Sequence, residues 1–138
     1  MNANGLLLTL IMSRSDQLLH AWCVLGVVGL AILAVAATNR EAHVNQAIGR
    51  VLALGWLIFA VTHFMCMQWI LKQWQAVAYS FVETPTYKMA TESVKASLAS
   101  VVTVPEIVWV LPFHLVFDAF VLIGLWWLTR TTRTTPVR

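Results

Sequence analysis

Three runs of mostly apolar residues, 17–38, 51–71 and 105–128, constrain this chain more than any other feature. Each is long enough to cross about 30 Å of hydrocarbon as a helix rising ~1.5 Å per residue. Water is absent there, so a spanning segment must pair its own backbone N–H and C=O groups, and the helix does so. The expected fold is all-α: an integral membrane bundle of three transmembrane helices forming one domain over 1–138, with an amphipathic outer-surface helix between the second and third. Composition agrees, because 59% of residues are hydrophobic and only 11% are charged. With so little surface suited to water, free soluble enzymes and nucleic-acid-binding modules fit poorly, despite an isoelectric point of 9.2. The net charge of +3 reads instead as topology.

The boundaries carry local signals. Ser13-Arg14-Ser15-Asp16 forms a capping-box pattern before the run from Leu18 to Ala37, which stops at Thr38-Asn39-Arg40. The second run lies between Arg50 and Lys72, and the third opens at Pro105, where a missing N–H needs no partner. Ala34-Val35-Ala36 resembles a signal-peptide cleavage site, but the first 16 residues lack a strongly basic start. The Leu6 to Met12 stretch is apolar and too short to cross. The 72–104 connection is too long for a turn and too polar for a fourth span. Thr84-Pro85 suits a helix start there, with Tyr87, Val94, Leu98 and Val101 on one face and Lys88 and Glu92 four apart on another.

Cytoplasmic flanks are enriched in Lys and Arg. Arg40, Arg50, Arg130, Arg133 and Arg138 fall on one side with the single acid Glu41. Arg14, Lys72, Lys88 and Lys95 on the other are balanced by Asp16, Glu83, Glu92 and Glu106. The N-terminus is therefore expected outside and the C-terminus in the cytoplasm. Trp22, Trp69, Trp74 and Trp109 fall near the outer ends of the spans and Trp56, Trp126 and Trp127 near the inner ends, as interfacial belts require.

Soluble-enzyme motifs are absent: the chain has no Gly-rich phosphate loop, no G-x-S-x-G, no H-E-x-x-H and no CxxC. Catalysis of its own is not expected. The candidate chemistry is ionisable groups inside the membrane, namely His20, His63, His114 and Asp118, because such groups are costly there. His63 lies roughly 12 Å below the outer end of the second span and His114 roughly 13–14 Å below that of the third, so they share a level. His20 is shallower. Two imidazoles on separate helices suit axial ligation of haem b, with Phe64, Phe113 and Phe117 as ring-packing surface. A copper-like site is the other cofactor candidate. His63 and Cys66 stand three apart, His114 and Asp118 four apart, and Met65 and Met67 add soft sulfur. The preferred reading needs no cofactor: His and Asp pair with each other and with neighbouring helices. Cys23 and Cys66, each in an apolar run, read as small hydrophobes.

Three spans make a thin solitary protein. Gly26, Gly29, Gly49 and Gly55, with Gly49-x-x-x-Ala53 as a weak motif, offer close helix approach, and Pro112 interrupts the third span. No residue pattern ties the chain to a family. In architecture alone, three spans around buried histidines resemble the small anchor subunits of respiratory complexes. The expected partners are the lipid bilayer and other integral membrane subunits, and nucleic acid is not among them. The expected function is a small non-catalytic membrane subunit of a larger complex handling electrons or a small substrate. The alternatives are a haem b or copper electron-transfer subunit and a small oligomeric transporter. Orientation is open to direct test: with Cys23 and Cys66 replaced, an impermeant thiol reagent outside the cell should label a cysteine placed at Ser93 and spare one at Thr134. The reverse pattern would invert the topology.

Overall fold

The computed structural model describes residues 3–38 and 42–131. Within them the chain forms α1 (Ala3–Thr38), α2 (Ala42–Val82), α3 (Pro85–Lys88), α4 (Glu92–Val102) and α5 (Ile107–Thr131), and no strand. Three segments are long and apolar enough to cross a membrane: Asn4–Thr38, Gln46–Val82 and Val108–Thr129. Arg40, Glu41 and the 132–138 tail, which carry much of the orientation argument, lie outside the described residues.

The long helices run past the apolar stretches that announce them. At 36 and 41 residues, α1 and α2 extend roughly 55–60 Å at the helical rise. The Ser13–Asp16 pattern thus sits inside α1 and does not start it. No Gly or Pro lies between Leu6 and Leu25, or between Trp56 and Thr84, so nothing breaks either helix where its charge appears. Arg14 is accommodated by donating to Gln17 Oε1 at 2.7 Å and by lying 5.4 Å from the Trp69 ring centroid, a cation–π distance.

The expected surface helix between the second and third long helices is two helices. Thr84 caps α3 by accepting from the Tyr87 N–H at 3.3 Å, with Pro85 following it, but α3 ends at Lys88. A new start at Thr91 opens α4. The break redirects the ion pairs: Lys88 pairs with Glu83, and Lys95 with Glu92 at 2.9 Å, in place of a Lys88–Glu92 pair.

The chain divides into two compact units, 1–22 with 65–110, and 23–64 with 111–138. In the first, Ile11, Leu18, Met67, Leu71, Trp74 and Phe81 form a core against which Tyr87, Leu98 and Val101 pack. Tyr87 meets Phe81 edge-on with ring centroids 5.5 Å apart, and the Trp74 indole N–H donates to the Val101 carbonyl at 3.1 Å. That bond ties α4 to α2. Val94, expected on the same apolar face, is 47% exposed.

The second unit buries Leu25, Trp56, Ala60, His63, His114, Val121 and Leu125. The buried positions on α2 step by four and three residues and those on α5 by seven and four, the spacing of a packing seam. Gly29 and Gly49 sit where a side chain would collide: an added Cβ would stand 2.9 Å from the Phe117 ring and 2.5 Å from Thr129 Cγ2. Gly124 behaves likewise against Leu33, at 2.8 Å. Gly26 and Gly55 face open space. The tryptophans divide too. Trp69, Trp109, Trp126 and Trp127 are exposed, whereas Trp56 and Trp74 are core residues. Gly29→Leu and Gly124→Leu should each lower stability by about 1–3 kcal/mol through overpacking, read by denaturant unfolding in detergent. Gly26→Leu should stay within about 0.5 kcal/mol; equal losses at Gly26 and Gly29 would contradict this packing.

Candidate functional site

His63 is the seam position that follows Trp56 and Ala60 on α2, and His114 takes the corresponding inward position on α5. Both are buried, at 8% and 2% exposure. His63 Nδ1 lies 3.3 Å from His114 Nε2, and His114 Nδ1 lies 2.7 Å from Asp118 Oδ2. The second contact is local, because residues four apart share a helix face. The first joins two helices 51 residues apart in sequence.

An assignment of ring protons that satisfies both contacts runs in one direction. In it, Asp118 accepts the Nδ1–H of His114. A neutral His114 then presents a lone pair at Nε2, which accepts the Nδ1–H of His63. Both ring nitrogens of His114 are thereby engaged. Aromatic rings wall the pair: Phe59 lies 5.3 Å from His63, and Phe64 meets His114 edge-on at 5.3 Å. Trp56 continues this wall, 5.4 Å from Phe59 and 6.1 Å from Phe117. Among the described residues, two buried polar atoms lack a hydrogen-bond partner, Trp56 Nε1 and Asp118 Oδ1.

The sequence candidates are thus only partly assembled. His63, His114 and Asp118 form one connected chain. His20 is exposed and bonds through Nδ1 to the Asp16 carbonyl at 2.7 Å, serving its own helix. Cys66 is exposed, Met65 is 65% exposed and Met67 belongs to the core of the first unit. Among the described residues, no group of three or more His, Cys, Asp or Glu is arranged to hold a metal ion. Of the expected ring-packing residues, Phe64 meets His114, Phe117 meets Trp56 and Phe113 is 69% exposed. Sequence reasoning missed Phe59 and Trp56, although their spacing of four and seven residues before His63 is the signal that would have found them.

Comparison with known protein families, with curated proteins and with solved structures found no match. The geometry itself is testable. Asp118→Leu leaves the His114 Nδ1–H buried and unpaired and should cost about 1–3 kcal/mol. The double variant Asp118→Leu with His114→Leu should cost less than the two single losses added, by about 0.5–3 kcal/mol. Strict additivity in detergent unfolding would mean that the two side chains do not interact.

Proposed function

We propose that this chain is a small, non-catalytic integral membrane subunit that packs against a larger membrane protein complex, one that transfers electrons or oxidises a small substrate. The observation that carries this reading is the hydrogen-bonded chain of Asp118, His114 and His63 on a helix–helix seam. These three ionisable side chains are joined to one another, and the faces offered outward are apolar. Val27, Leu30, Val51, Leu54, Val116 and Ile123 are each between 61% and 70% exposed, a surface suited to lipid or to another membrane helix. The same reading assigns 17–38, 51–71 and 105–128 to the hydrocarbon, α4 to the outer membrane surface and the C-terminus to the cytoplasm.

A second reading, a haem b or copper electron-transfer anchor, is favoured by one observation: imidazoles from two helices meet. His63 and His114 would hold such a group through ring nitrogens, the group would supply one-electron chemistry, and Asp118 would fix the His114 ring from its other nitrogen. Purification from the native membrane in mild detergent separates the two. The subunit reading expects larger partner chains to co-purify and no b-type absorption assignable to this chain. A band lost in His63→Ala and His114→Ala but kept in His20→Ala would establish the second reading. A monodisperse, active protein made of this chain alone would overturn the first.

A further inference from the structure

A groove of about 380 Å³ in the second unit runs between the start of α2 and the end of α5, a volume within the roughly 300–1,000 Å³ typical of small-ligand sites. Its lining is graded along both helices. Gln46 and Arg50 on α2, with Trp126 and Thr129 on α5, lie toward the ends of the apolar runs, while Ala53 and Leu122 lie one to two turns further in. Among the described residues, none that lines it is acidic. Thr129 donates its hydroxyl to the carbonyl of Leu125 at 2.8 Å, and among the described residues that line the groove the cationic one is Arg50, which is exposed. Gly49 permits the close approach of Thr129, since a Cβ there would stand 2.5 Å from Thr129 Cγ2.

We propose that this groove binds one anionic phospholipid, its phosphate on Arg50 and Gln46 and the upper part of one acyl chain along Ala53 and Leu122. Two properties select that ligand. A planar guanidinium recognises phosphate oxygens in pairs, and the change from polar to apolar lining within two turns matches the change from headgroup to chain. Arg50 immediately precedes the apolar run beginning at Val51, the level at which headgroups lie. A free phosphate would use the guanidinium and leave Ala53 and Leu122 unoccupied, so the lining favours the lipid.

The test uses the full chain in nanodiscs of equimolar phosphatidylglycerol and phosphatidylcholine, with native mass spectrometry of the released protein. Phosphatidylglycerol should be retained in preference, one molecule per chain, and excess inorganic phosphate should not displace it. Arg50→Gln should lower the preference roughly five-fold, Arg50→Lys should keep most of it, and Ala53→Phe should reduce retention by filling the apolar end. Lys95→Gln removes the same charge outside the groove and should change nothing. Equal preference in Arg50→Gln, an equal loss in Lys95→Gln or displacement by inorganic phosphate would each overturn the proposal.

Discussion

A bilayer offers no partner to a backbone N–H or C=O, and a helix is the local structure in which one segment pairs its own. The rest of this protein follows from that constraint. It makes the three long segments helical, and because a helix once begun gains a bond per residue, α1 and α2 continue until the sequence interrupts them. Side chains feel the same scarcity. A polar side chain in an apolar packing seam gains from a partner there, and His114 meets His63 on α2 and Asp118 one turn along α5.

A hydrogen-bonded pair of this kind is weak evidence for stability and stronger evidence for specificity. Apolar residues of equal volume would avoid the desolvation of two imidazoles and a carboxylate. Uniform apolar faces, however, let helices slide or rotate against one another at little cost, whereas a polar residue at one seam position fixes register. His63 and His114 supply such a lock in the second unit. The glycine contacts, Gly29 with Phe117 and Gly124 with Leu33, supply shape complementarity beside it. In the first unit the comparable tie is the Trp74 indole bond to Val101.

Helix content was legible from the apolar runs, and the helical rise alone put His63 and His114 at one level, where their rings meet. The inward face was not legible. A helix that is apolar all round carries no amphipathic stripe, so Trp56 and Trp74 read as interfacial belts although they are core residues, and Gly26 reads like Gly29 although only Gly29 faces a ring. The start of α1 was misplaced because a capping pattern is a local signal, and Ser13–Asp16 occurs where the chain has no reason to leave the helix. The same limit hid the break after Lys88. Tyr87, Leu98 and Val101 do pack on one core, but from two helices, so a single periodic face described them only in part.

The short contact between His114 and Asp118 bears on how the histidine pair works. At 2.7 Å it joins His114 Nδ1 to Oδ2 of Asp118, where partial burial leaves a hydrogen bond less screened than in water. Strengthening that bond pushes electron density toward the opposite nitrogen of His114, which makes Nε2 a better acceptor for His63. The three residues therefore act as one polarised unit. Replacing the carboxylate weakens both the local bond on α5 and the bond that joins α5 to α2, so the two helices are coupled through a residue that belongs to only one of them.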